Sequence, residues 1–107
     1  MKRALVAVVV LLLLGAVPRS AAQDSAESIF KSKCAMCHGQ DGSGKTVMGE
    51  KLKVADLRSA EVQKKTDAGL AEIITKGKGK MPAYEGKLTK EQIAKLATFL
   101  RCLGKKH

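Results

Sequence analysis

The residues best suited to chemistry lie together in a short segment of the chain, C-A-M-C-H at positions 34–38. Its two cysteines are three positions apart, so both thiols project from one helical turn and can add to the vinyl groups of one porphyrin as thioethers. The adjacent His38 then lies beneath the metal and can bind it through a ring nitrogen. The spacing C-x-x-C-H therefore predicts one covalent haem c, held through Cys34 and Cys37, with His38 as an axial iron ligand.

Three alternatives use the same cysteines. Zinc needs four ligands, and the chain offers five candidates: Cys34, Cys37, His38, Cys102 and His107. However, closed zinc sites usually draw on two close pairs, and the last two residues form a loose terminal pair. A redox-active C-x-x-C would be expected beside a βαβ pattern, which is not visible. A structural disulfide between the two cysteines of the motif is the third alternative, and haem is favoured over all three.

A further candidate ligand, Met81, lies in the polar stretch K-G-K-G-K-M-P-A-Y. Most methionines fill a core, but Met81 has no apolar neighbours at helical or strand spacing, and Pro82 keeps the segment extended. Since Met and His together ligate iron in c-type haem, we interpret this thioether as the second axial ligand, opposite His38. Met48 lies close to His38 in the sequence and is interpreted as a core residue.

The hydrophobic spacing predicts three helices with long polar connections and no β-strand. They run from about Ser25 to Cys37, from Thr66 or Asp67 to Gly77, and from a capping box at Thr89–Gln92 to Gly104. The stretch from Val47 to Leu57 shows no clear period and is predicted as loop, followed by a short turn near Ser59–Lys64. The residues predicted to be buried are Ile29, Phe30, Leu70, Ile73, Ile74, Ile93, Leu96, Phe99, Leu100, Cys102 and Leu103.

The first 22 residues have the order of a secretory signal peptide. A basic start precedes 14 residues that are apolar or glycine, and the small residues Ser20 and Ala22 precede a cleavage point before Gln23. The apolar stretch is shorter than the roughly 20 residues that a membrane-spanning helix needs. We therefore predict an exported protein without stable membrane insertion, in which residues 1–22 are removed and residues 23–107 form one small domain.

The chain is basic, with 20 Lys and Arg residues against 10 Asp and Glu residues and a formal net charge of +10. Around Met81, five lysines are opposed only by Glu85; they are Lys76, Lys78, Lys80, Lys87 and Lys90. We interpret this cluster, the Met81 lysines, as a surface that attracts acidic faces of redox partner proteins. A lysine-rich loop that only keeps the protein in solution is the alternative. Nucleic acid is disfavoured, because the leader predicts export and no aromatic residues interleave with the lysines.

Three segments, CAMCHG, KGKGKMPAY and EQIAKLATFLRCL, are similar to those of small class I c-type cytochromes, the short soluble monohaem proteins of bacterial periplasms. The resemblance implies an all-α, class I cytochrome c-like fold: three main helices with long loops wrapped around one covalently bound haem. It also implies that the first and last helices cross near-perpendicularly beside the haem.

The same resemblance implies a monomer that carries single electrons between a quinol-oxidising complex and a terminal oxidase or reductase. If His38 and Met81 fill both axial positions, no position remains for a substrate, so the chain is expected not to be an enzyme. The alternative is a haem-bearing subunit or ligand-binding haem sensor in which Met81 is displaced.

The sequence departs from the family in two places. Relatives commonly have a proline shortly after the haem histidine, in a region whose backbone carbonyl accepts the second ring N–H of that histidine. The corresponding residues here, M-G-E at 48–50, include no proline. Many relatives also use a tryptophan to bind a haem propionate, and this chain has none; Arg58 and Tyr84 are the residues that could replace it, with Arg58 expected to be mainly solvated.

Overall fold

A computed structural model describes residues 25–106, and these residues are largely helical. The predicted signal peptide and His107 lie outside the described residues. In chain order the elements are α1 (Ala26–Ile29), a π-helical segment (Phe30–Cys34), α2 (Ala35–His38), α3 (Val47–Leu52), α4 (Ala60–Gln63), α5 (Asp67–Lys76) and α6 (Lys90–Lys106). Between residues 25 and 106 there is no β-strand, only two isolated bridges, so the all-α prediction is confirmed. None of the helices in this part of the chain is long and apolar enough to span a bilayer.

The first predicted helix is present as α1, the π-helical segment and α2 in direct succession. The side chain of Ser25 caps it by accepting the backbone N–H of Ser28 at 3.1 Å. Ile29 and Phe30 are buried as predicted, while the lysines of this segment are exposed. Because the buried face is anchored in the core, the C-x-x-C-H motif at the end of the segment has a fixed support.

The last helix, α6, supplies much of the core. Its predicted capping box is confirmed: the N–H of Thr89 donates to Gln92 Oε1 at 2.8 Å, and the N–H of Gln92 donates to Thr89 Oγ1 at 3.1 Å. Its buried apolar residues are Ile93, Leu96, Ala97, Leu100 and Leu103. The helix contacts both α1 and α5, and the ring centroid of Phe99 lies 5.3 Å from that of Phe30. The two ends of the domain therefore share one core.

The predicted bounds of the middle helix, α5, are also confirmed. Thr66 is its N-cap and accepts the N–H of Gly69 at 3.0 Å, and Gly77 is its C-cap. Leu70 and Ile74 are buried against the core, where α5 packs on α6.

The prediction of loop from Val47 onward is wrong for α3. Thr46 caps this helix by accepting the N–H of Gly49, and Lys53 ends it in the left-handed region at φ 56°. The sequence shows no helical period here because α3 buries only Gly49, so no apolar stripe is needed. The turn predicted near Ser59–Lys64 is confirmed as α4.

Gly104 was predicted to end the last helix, and this is also wrong, since α6 continues to Lys106. The side chain of Gln63 lies against this glycine, so closely that a Cβ there would be 2.6 Å from the Gln63 amide carbon. The same amide donates to the carbonyls of Leu57 and Leu100, at 2.8 and 3.1 Å. Gly104 therefore makes room for a side chain that joins the α4 region to α6.

Candidate haem site

The two cysteines of the motif lie within about one helical turn of each other, Cys34 at the end of the π-helical segment and Cys37 in α2, which follows it directly. Both are half-buried free thiols, which contradicts the disulfide alternative. Burial raises the pKa of Cys34 to about 11, an effect larger than the opposing influence of Lys33. Redox-active C-x-x-C motifs lower a cysteine pKa instead. Cys34 is therefore unlike the reactive cysteine of a thioredoxin site.

The zinc alternative requires a cluster that the structure does not form. Between residues 25 and 106, no three His, Cys, Asp or Glu side chains are grouped so that they could hold a metal ion. Cys102 was predicted to be buried, and this is wrong, because its side chain is exposed on α6. The prediction failed because Cys102 is close in sequence to buried residues of that helix but does not lie on the same face.

His38 is the last residue of α2, and its side chain is half-buried. Burial lowers the pKa of the imidazole, which favours the neutral, metal-binding form. Its Nδ1 is buried and forms no hydrogen bond within the described part of the chain. A neutral imidazole with an uncommitted ring nitrogen beside two free thiols fits the donor set of a c-type haem.

The backbone around His38 is held by the loop that follows it. The N–H of Gly44 donates to the His38 carbonyl at 2.7 Å, and the hydroxyl of Thr46 donates to the Cys37 carbonyl at 2.8 Å. Gly49 packs so closely that a Cβ there would overlap the carbonyl oxygens of Cys37 and Gly44. Neither Thr46 nor this contact is evident from the sequence, in which the pattern T-x-x-G is the only available signal.

The Met81 side chain is half-buried and packs against the core, although the sequence near it offers no apolar partners. The buried cluster that it contacts draws on residues from several elements, which a local pattern cannot show. Met81 and Lys78 form a tight reversal in which each N–H donates to the other's carbonyl, at 2.9 and 3.2 Å. The methionine is therefore presented from an ordered turn.

Both ends of this turn are anchored on α5. After it, the N–H of Tyr84 donates to the Ile74 carbonyl at 3.0 Å, and the N–H of Glu85 donates to the Thr75 carbonyl at 3.1 Å. Before it, Gly77 has φ 76° and ψ 173°, a conformation essentially restricted to glycine. A Cβ on Gly77 would lie only 2.6 Å from the Met81 carbonyl oxygen, so the absence of a side chain allows the turn to fold back.

One side chain joins the turn at residues 78–81, the methionine turn, to the helical segment that carries the cysteines. The hydroxyl of Tyr84 donates to the Lys33 carbonyl at 3.1 Å, directly before Cys34 in the chain. Arg58, the other candidate for a propionate, is only 18% exposed rather than mainly solvated, and its guanidinium is bonded to Asp56 at 3.0 Å.

The prediction that Met48 lies in the core is wrong, because this residue is 37% exposed. Met36, inside the motif, is 77% exposed. Of the three methionines in the described residues, Met81 alone packs against the buried cluster.

All five Met81 lysines are exposed. Only Lys76 reaches the single acidic residue among them, with its Nζ 3.4 Å from a Glu85 carboxylate oxygen. Lys87 lies over the ring of Tyr84, its Nζ 5.9 Å from the centroid. The other four Met81 lysines form no ion pair within the described part of the chain, so the surface around the turn carries a net positive charge.

Comparison with known proteins identifies this arrangement. The family described as "Cytochrome C oxidase, cbb3-type, subunit III" matches residues 21–100. The chain is a small class I c-type cytochrome. A solved structure, the KustC0563 c-type cytochrome, superposes with a TM-score of 0.69 and 30% identity, over 75% of this chain and 98% of that one. The predicted fold is thus confirmed.

Two kinds of curated relative match the cytochrome. Cytochrome c6 of Nostoc sp. is 40% identical over 78 residues, which cover 72% of this chain and 65% of the relative. Cytochrome c6 of Porphyra purpurea is 32% identical over 77 residues, 72% of this chain and 67% of the relative. The cbb3-type cytochrome c oxidase subunit FixP of Bradyrhizobium diazoefficiens is 34% identical over 94 residues, but the match covers only 31% of that longer protein.

Family membership also decides the cofactor. The cytochrome carries covalent haem c, attached at the two cysteines of its single C-x-x-C-H motif, Cys34 and Cys37. It is accordingly a haem-c protein of electron transport.

Proposed function

We propose that the cytochrome is a freely diffusing one-electron carrier in which His38 and Met81 are the two axial ligands of the haem iron. The observation that carries this proposal is the methionine turn, which is clamped at both ends to α5 and tied by Tyr84 to the segment that bears Cys34. A turn so anchored presents a thioether in a defined place, as an axial ligand requires.

The bound haem supplies an iron atom that accepts and releases one electron. The residues of the chain set how readily this happens. A Met81 thioether favours ferrous iron and so raises the reduction potential. Apolar packing acts in the same direction, because it disfavours the extra positive charge of the oxidised state. With His38 and Met81 in place, no axial position remains for a substrate, and the cytochrome is not an enzyme.

Partner recognition is assigned to the Met81 lysines. Their exposure and the weakness of the one ion pair among them leave a positive surface around the methionine turn. Such a surface increases the rate of encounter with acidic faces, here those of a quinol-oxidising complex and of a terminal oxidase or reductase. We further propose that residues 1–22 direct the chain to the bacterial periplasm, where it acts as a monomer.

A second candidate, a haem-bearing subunit of a larger complex, is favoured by the FixP match and by the description of the family. A subunit would co-purify with partner chains from its own organism, whereas a diffusing carrier would be recovered alone. A ligand-binding sensor would differ in its iron, because Met81 would be displaced.

The test is Met81→Ala, compared with Met48→Ala, in the haem-loaded protein. We expect Met81→Ala to keep its covalent haem, to lose the weak long-wavelength absorption band that reports a bond between methionine sulfur and ferric iron, and to show a lower reduction potential. It should also gain affinity for cyanide, while nearby Lys78 or Lys80 takes the open position at high pH. Met48→Ala should leave the spectrum and the potential unchanged, and the reverse pattern would refute the ligand assignment.

A further inference from the structure

The two peptide groups that flank His38 are both held by the loop between α2 and α3. Since α2 ends at His38, its last carbonyls lack helical partners and need others. The Cys37 carbonyl accepts from the Thr46 hydroxyl at 2.8 Å, and the His38 carbonyl accepts from the Gly44 N–H at 2.7 Å. These bonds fix the backbone from which the imidazole projects.

The imidazole itself has no comparable restraint. Its Nδ1 is buried, and no group among residues 25–106 accepts or donates a hydrogen bond there. The hydrogen bonds that the loop makes here are to the backbone on either side of the ring, and Thr46 is the side chain that makes one of them.

Thr46 can support this backbone because its hydroxyl is both a hydrogen-bond acceptor and a hydrogen-bond donor. It accepts the N–H of Gly49 at 2.8 Å, which caps α3, and it donates its proton to the Cys37 carbonyl. The Gly49 backbone approaches the same carbonyl too closely for any side chain. One hydroxyl thus joins the start of α3 to the peptide bond between Cys37 and His38.

We infer that Thr46 is a positioning residue for His38, and that its bond to the Cys37 carbonyl sets the orientation of the imidazole toward the iron. This inference rests on the proposed ligation by His38.

The chain contains a matched control in Thr66. This residue begins α5 with the same T-x-x-G pattern and caps it in the same way, accepting the N–H of Gly69 at 3.0 Å. No hydrogen bond joins Thr66 to the C-x-x-C-H segment in the part of the chain that the structure describes. Removing either threonine removes an N-cap, but only Thr46 also supports the Cys37 carbonyl.

The experiment records the NMR resonances of the His38 ring protons in the oxidised, haem-loaded protein, because ferric iron shifts the protons of its ligands far from their usual positions. We expect these resonances to shift in Thr46→Val, which loses both bonds, and in Thr46→Asp, which keeps the cap but cannot donate while ionised. Thr46→Ser should restore them. Thr66→Val and Thr66→Asp, matched in cap loss and in charge, should leave them unchanged.

Four outcomes would decide against the inference or its basis. Unchanged resonances in both Thr46 variants, or equal shifts in the Thr66 variants, would overturn it while leaving the ligand in place. If the unsubstituted protein shows no iron-shifted His38 ring protons, the proposed ligation itself fails. If the Thr46 variants do not accumulate with haem, the bond can be tested in the unsubstituted protein. There, the Thr46 hydroxyl proton should exchange slowly with water because it is bonded to the Cys37 carbonyl. Exchange as rapid as that of the Thr66 hydroxyl proton would refute the bond.

Discussion

Replacing Gly77 with alanine should dislodge the turn that carries Met81. The glycine has φ 76° and ψ 173°, and holding alanine in this region costs about 1–3 kcal/mol. The new Cβ would also lie 2.6 Å from the Met81 carbonyl oxygen and 2.9 Å from the Ala83 nitrogen, so the backbone of the turn must move. Overpacking of this kind costs about a further 1–3 kcal/mol. The total of about 2–6 kcal/mol is a large share of the 5–15 kcal/mol by which a domain is typically stable.

The assay is denaturant unfolding of the haem-loaded protein, followed alongside the absorption band of the methionine–iron bond. Gly79→Ala and Gly86→Ala are matched controls, since both glycines have positive φ, at 57° and 81°, but nothing lies within 4 Å of an added Cβ. They should show only the backbone cost and keep the band, whereas Gly77→Ala should lose it. If Gly77→Ala keeps the band and unfolds at the same denaturant concentration as Gly79→Ala, the close contact does not position the methionine.

Other substitutions test the haem attachment, the hydrogen bond from Tyr84 to the Lys33 carbonyl and the hydrophobic core. Cys34→Ala with Cys37→Ala should abolish the haem stain after denaturing electrophoresis and leave a chain that is largely unfolded by circular dichroism; a well-folded, haem-free protein would contradict this. Tyr84→Phe, which loses the bond to the Lys33 carbonyl, should lower the free energy of unfolding by about 0.5–1.5 kcal/mol, and no change would mean that the bond contributes nothing. Leu96→Ala, at a side chain only 1% exposed, should lower it by about 2–5 kcal/mol in the same measurement, and a smaller loss would indicate that the core collapses around the site.

Local patterns in the sequence were sufficient for the long helices and for the attachment motif. The capping box at Thr89, the cap at Thr66 and the stop at Gly77 depend on bonds within a few residues, so they can be identified without tertiary structure. The same is true of the spacing of Cys34 and Cys37, because one turn of helix determines where both thiols project.

Short helices and the burial of single side chains could not be predicted from local patterns in the sequence. Helix α3 buries only Gly49, so it leaves no hydrophobic period, and Gly104 lies inside α6 because the distant Gln63 packs on it. Met48 and Cys102 were placed in the core from their neighbours in sequence, yet both are exposed. Whether an apolar side chain is buried depends on what packs against it, and that is decided by elements far along the chain.

The sequence by itself determined the chemistry of this protein: the haem motif, a methionine in a basic loop and the helices that carry them. Only the tertiary structure decided how these parts are held. Tyr84 meets the Lys33 carbonyl 51 positions away, and Thr46 meets the Cys37 carbonyl nine positions away. The physical reason is that a motif is specified by covalent spacing, whereas its support comes from hydrogen bonds between segments that only the folded core brings together.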